Sequence, residues 1–302
     1  MKPKFKTAAI LAGIGLAAAI PFLVFLARSP VLVVTDRSFI LLYGESRSRA
    51  EIFRSSLVLF RRVRAVTVAD DVGEDIIQYA ISEASARPFC VLFPLRFAQS
   101  ARLYREQNPS VPVVLLEGRY AEGENPAVSA LGGNTEDYFF YKTDIAADLY
   151  LAGLAAAAID GDKNGRVAVF LESRLYTQGR EAFLRALNDI EKPLRTSFYT
   201  SFSQFSEIPD LSCVVLAGVG ADYMDNYSGV PVIFFSWIDP LLLPADVVLV
   251  FNDSPWIQAA EAAGMADARM HDGQIRSKRE ILHTNNIDRD SLQKLRKLGK
   301  NE

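Results

Sequence analysis

Six strand-like runs in this chain stop on or just before a carboxylate: Asp36, Asp70, Glu117, Glu172, Asp239 and Asp253. Flat rings stand close to several of these ends, at Phe39, Phe93, Tyr176 and Trp237. Donors and acceptors accompany them at Ser38, Arg96, Arg174 and Asn252. An ionised carboxylate accepts several hydrogen bonds from hydroxyl groups, and a guanidinium donates in a fixed fork. An aromatic face gives a ring-shaped molecule an apolar surface to stack on. Apolar walls plus a few placed polar groups are the chemistry of small-molecule binding. Each residue also has a plainer role. A carboxylate after a strand is a common helix N-cap, and an aromatic beside a strand is common core.

The chemistry of catalysis is thin by comparison. The only histidines are His271 and His283, too few for a histidine metal site or triad. Cys90 and Cys213 lie in the apolar runs RPFCVLFP and LSCVVLAG, which predicts small buried core residues. No nucleophile elbow appears. LEGRYAEGENP lacks the Gly-Lys-Ser/Thr ending of a phosphate loop. Asp160, Asp162 and Asn164 alternate like the start of a calcium loop, but the closing glutamate is missing. These absences predict no enzyme, no cofactor and no metal. The formal charge of −3 gives no electrostatic footprint for nucleic acid.

The elements that must hold the polar groups follow from hydropathy. VLVVTD, VRAVTVAD, FCVLFPL and VPVVLLEG are near-continuous apolar runs, and helical patterns separate them. Four βα units in a row imply a parallel sheet covered on both faces. Residues 119–136 read as a polar loop. A second βα series runs from YFFYKTD to the Ala-rich helix WIQAAEAAGMADARM. In open α/β sheets the ligand crevice lies beyond the carboxyl ends of the strands, where the carboxylates stand.

The N-terminus carries Lys2, Lys4 and Lys6 ahead of an apolar stretch from residue 7 to 27. That is a basic region followed by a run about long enough to cross a bilayer, which needs roughly 20 residues. It predicts either a cleaved export signal or a signal anchor within residues 1–29, with the body outside the cytoplasm. No cysteine lies near it to carry a lipid.

Three stretches resemble the basic membrane protein, or nucleoside-binding lipoprotein, family of type I periplasmic-binding-protein folds. VVTDRSFILLYGES resembles that family's Asp-x-Ser-Phe-Asn motif through Asp36, Ser38 and Phe39, with Ile40 in place of the asparagine. Tyr150-Leu151-Ala152-Gly153, Gly165-Arg166-Val167 and Phe183 match its helix–strand–helix. CVVLAGVGADYMDNYSGVPVIFFSWID resembles the segment that delivers a glycine (Gly218 or Gly220) and an aspartate (Asp239) to the ligand. The resemblance implies an α/β protein of two Rossmann-like lobes with parallel sheets joined by crossover strands. Lobe 1 would span 30–140 plus 246–275 and lobe 2 would span 141–245. A basic tail, 276–302, would cap the first lobe or stay partly disordered. It also implies an extracytoplasmic solute-binding protein that closes on a nucleoside-like or sugar-like molecule for an ABC-type permease or a sensor. Its ligand residues would be Asp36, Ser38, Phe39, Phe93, Arg96, Arg174, Tyr176, Gly218, Trp237, Asp239 and Asn252. The competing expectation is a membrane-tethered interaction domain whose degenerate cleft leaves it to bind a protein partner.

Overall fold

A computed structural model describes residues 20–118, 131, 136–161, 165–192, 194–200, 210–218, 229–282, 287 and 289–298, with the Arg174 side chain left aside. The apolar runs become strands. In the first lobe these are β1 (Val31–Asp36), β2 (Val63–Val68), β3 (Cys90–Pro94), β4 (Val113–Gly118) and β5 (Phe139–Thr143). The second lobe holds β6 (Arg166–Leu171), β7 (Arg195–Tyr199), β8 (Leu211–Ala217), β9 (Val232–Phe235) and β10 (Val247–Asn252). Two short strands follow, β11 (Asp272–Ile275) and β12 (Lys278–Ile281).

The first sheet has the order β11-β5-β4-β3-β1-β2 and is parallel throughout. The second has the order β12-β10-β9-β8-β6-β7, parallel except for β12. Parallel strands need covering on both faces, which explains why β3 and β10 are buried along their whole length.

Helices supply the cover. In lobe 1, α1 (Arg37–Tyr43), α2 (Glu45–Leu59) and α7 (Pro255–Asp267) lie over one face. The other face takes α3 (Glu74–Ala84) and α4 (Ala98–Gln107). In lobe 2, α5 (Ile145–Asp160), α6 (Tyr176–Asp189) and the last helix α8 (Arg289–Leu298) share one core. Gly153, the glycine of the Tyr-Leu-Ala-Gly stretch, has a packing reason. A Cβ there would sit 2.8 Å from the Phe183 carbonyl oxygen, so only glycine lets α5 press onto α6. Cys90 and Cys213 are free and buried, and burial pushes both thiols far above their ordinary pKa.

The chain crosses between the lobes three times: after β5, between β10 and α7, and between β11 and β12. These crossings revise two expectations. Residues 246–275 do not all belong to lobe 1, because β10 runs in the second sheet while α7 and β11 complete the first. The described part of the tail builds onto lobe 2, touching lobe 1 through the Glu280 and Lys278 ion pairs to α2. Its β12 pairs antiparallel with β10, and α8 buries Leu295 in the lobe 2 core. An open β10 edge has backbone groups to satisfy, and the tail satisfies them.

Candidate ligand cleft between the lobes

Both sheets point their strand carboxyl ends at the space between the lobes. One cavity of about 230 Å3 opens there, lined by Phe39, Pro94, Leu95, Arg96, Leu116, Glu117, Trp237, Asp253, Pro255 and Gln258. Every lobe contributes. Arg96 follows β3 and Glu117 lies near the end of β4. Trp237 follows β9, and Asp253 sits on the crossover after β10.

Arg96 is the best-defined polar group. It lies 2.7 Å from the Asp36 carboxylate and 5.0 Å from the centre of the Phe97 ring. Burial pulls its guanidinium below the ordinary value and Asp36 and Asp70 work against that; it stays a cation. Asp36 in turn caps α1, accepting the Phe39 N–H at 2.7 Å. That carboxylate is thus spent inside lobe 1 and orients Arg96. Ser38 is spent as well. Its N–H and hydroxyl bond the Asp70 carboxylate at 3.2 and 2.7 Å, which holds Asp70 below the usual range.

The aromatic wall belongs to Trp237. Its ring centre lies 4.9 Å from that of Phe39, which also stacks on Tyr43 at 5.4 Å and meets Trp256 at 6.2 Å. Phe39 is 2% exposed, so it supports Trp237 from the core and offers little surface of its own. Gln258 is buried in the cavity floor and donates to the Thr143 hydroxyl at 3.2 Å, next to the first crossover.

Of the eleven residues singled out by sequence, the cavity brings together Phe39, Arg96 and Trp237. Phe93 is wholly buried among the helices of the opposite face, 6.1 Å from Tyr104, because alternate β3 residues point to alternate faces. Asn252 is fully buried in a crossover: its amide accepts the Ser254 N–H and donates to Glu280, both at 3.0 Å. It braces the hinge. Asp239 caps the turn that follows, accepting from the Leu241 N–H, while its own N–H bonds the Leu42 carbonyl of lobe 1 at 2.7 Å. Tyr176 is half-buried against the lobe 2 core. Gly218 has φ +79, and a Cβ would sit 2.8 Å from that of Glu172, so the glycine serves a close strand-end turn. The Arg174 side chain and Gly220 lie outside what the structure describes. Asp162, Asn164 and His283 do too.

Glu117, Asp253 and Gln258 were missed as site residues. The first two had a signal, since both are strand-terminal carboxylates. Helix capping explains such residues equally well, and only the position of the second lobe separates the two roles. Among the described residues no group of three His, Cys, Asp or Glu side chains could hold a metal ion.

No family model matches the sequence, and no curated protein does. Solved structures do match. The transcriptional activator of the comK gene from Bacillus halodurans superposes with a TM-score of 0.56 at 14% identity, over 89% of this chain and 95% of that one. A periplasmic ribose ABC transporter protein from Conexibacter woesei DSM 14684 gives 0.50 at 15% identity, over 84% and 92%. Such identities establish architecture alone: the chain has the type I periplasmic-binding-protein fold.

Proposed function

We propose that this protein is an extracytoplasmic solute-binding protein that closes its two lobes on a small polar ring, sugar-like or nucleoside-like. It would present that molecule to an ABC-type transporter or a sensor. One observation carries the reading. Arg96, Glu117, Asp253 and the Trp237 ring converge on a single cavity, and they come from both lobes and a crossover. Carboxylates suit a sugar diol, the guanidinium supplies donors, and the indole supplies a stacking face. At about 230 Å3 the cavity falls below the ~300–1,000 Å3 usual for drug-sized ligands, which favours a compact occupant. The apolar N-terminal stretch fits export or anchoring. Residues 20–27 are helical and leave Ile20, Phe22, Leu23, Val24 and Leu26 exposed. No helix among the described residues is long and apolar enough to cross a membrane.

The test is native mass spectrometry of the full chain released from detergent, followed by a thermal-shift screen of nucleosides, sugars and amino acids. A co-purified small molecule, or one class that raises the melting temperature, supports the reading. Ligand at a hundredfold excess over Kd adds about 2.7 kcal/mol of stability. No mass and no shift would refute it.

A second reading has its own observation. Trp237 leans on the lobe 1 core, and Asp239 bonds Leu42, so the cleft beside β1 is already filled by protein. That favours an interaction domain with a degenerate cleft. Crosslinking in the membrane to a protein partner, with an empty ligand screen, would decide for it.

A further inference from the structure

The starts of β1, β2 and β3 and the N-terminal segment meet at one pole of lobe 1, the pole opposite the cleft. Helix α2 starts beside Asp239 at the cleft and ends at Phe60, next to the start of β2. Its outward surface changes along its length. The first turns expose Glu45, Ser46, Arg49 and Ala50, whereas the last two turns expose Phe53, Leu57 and Val58 beside Arg54, with Phe60 after them. Singly scattered apolar residues on a surface need no explanation, but four large ones on the end of one helix do.

The chain itself indicates what covers them. The apolar N-terminal segment enters the fold at this spot. The Phe25 ring lies 5.8 Å from that of Phe60, and the Arg28 guanidinium sits 5.3 Å from the same ring while bonding the Phe60 carbonyl. Whatever the segment enters is therefore next to α2. The charge around the patch agrees. Arg28, Arg61 and Arg87 fall within three residues of the starts of β1, β2 and β3, and Arg64 lies one residue inside β2. Arg64 bonds the Ala84 carbonyl and Arg61 lies 3.9 Å over the Phe89 ring, neutral partners in both cases.

We infer that this pole of lobe 1 is a membrane-docking face. Phe53, Leu57 and Val58 enter the interface of an anionic bilayer, and the arginines lie over its headgroups. Shallow apolar insertion together with basic residues near anionic lipid is how interfacial elements bind. The inference rests on the proposal that the N-terminal segment holds the protein at a membrane. It adds an orientation: the cleft faces away from the lipid.

The full chain is placed in vesicles of phosphatidylethanolamine and phosphatidylglycerol that contain brominated lipid. One variant, Val58→Cys, carries a bimane label, and Tyr79→Cys on the exposed side of α3 is the control. Cys90 and Cys213 are buried and stay unlabelled in the folded protein. Quenching several-fold stronger at position 58 than at 79, weakened when phosphatidylcholine replaces the anionic lipid, is the expected result. Equal quenching at the two positions, with the chain retained on floated vesicles, overturns the docking face and leaves the anchor standing. Loss of the chain from the vesicles overturns both. A label at 58 that is shielded in detergent and transfers energy to a second copy assigns the face to a homodimer and overturns the lipid.

Discussion

Arg47 of α2 and Glu280 of β12 tie the two lobes together: one guanidinium nitrogen reaches both carboxylate oxygens, at 2.9 and 2.7 Å. The guanidinium sits 4.5 Å from the centre of the Tyr43 ring, and its other nitrogen bonds the Ile238 carbonyl at 3.3 Å. Glu280 also accepts from Asn252 in the crossover. The pair is mostly shielded from water, so screening weakens it little. Arg47→Met should lower the melting temperature, at a cost of about 1–3 kcal/mol, because Glu280 is left with half of its partners. X-ray scattering should show a larger radius of gyration as the lobes part. Adding Glu280→Gln should return part of the lost stability. An unchanged radius in Arg47→Met would mean that the pair does not hold the lobes.

A second inter-lobe contact gives the fold an acid sensitivity. Glu51 lies 2.7 Å from Lys278 and 2.8 Å from Arg54. Burial on its own would raise the Glu51 carboxyl, but Lys278 and then Arg54 outweigh it and hold the group below 4.5. A carboxyl depressed in the folded state contributes stability above its unfolded pKa and loses it as pH falls through the folded one. Melting temperature against pH should therefore drop below about pH 4.5. In Lys278→Met the drop should shrink, because burial then lifts the folded Glu51 carboxyl back toward its unfolded value. Coincident curves for the two proteins would remove Glu51 from the account.

Phe39→Ala and Phe93→Ala should both destabilise, by about 3–5 kcal/mol each, since both side chains fill core space. Denaturant unfolding measures this directly. Phe93→Ala should leave the affinity of any folded molecules unchanged, because its ring faces away from the cavity. A near-neutral Phe39→Ala would contradict its place beneath Trp237.

Glu117→Gln keeps the shape of the cleft and removes a charge. For a ligand that raises the melting temperature, Kd should weaken about tenfold, or ~1.4 kcal/mol. Trp237→Ala should weaken the same ligand through the lost stacking face. If titration calorimetry finds both affinities at the wild-type value, the ligand binds elsewhere.

Much of the architecture is legible in the sequence, and the reason is periodicity. Runs such as VLVVTD and FCVLFPL have no polar face, and only doubly covered parallel strands tolerate that. The terminal segment was harder to read. KREI is short and charged, and it forms a strand only because the β10 edge needs a partner. The same limit applies to the cleft. Asp36, Glu117, Asp239 and Asp253 look alike as strand-terminal carboxylates. Local capping claims Asp36 and Asp239, and the approach of the other lobe selects Glu117 and Asp253 for the cavity. Rings divide in the same way, since Phe93 and Trp237 differ only in which side of a sheet or lobe they meet.

The three crossings have a consequence for timing. The first sheet receives its last strand from residues 272–275 and the second from residues 278–281. Neither lobe can finish its sheet until nearly all of the chain is present. A chain emerging from its N-terminus therefore carries two unfinished sheets for most of its synthesis, and the two lobes then complete together, within ten residues of each other.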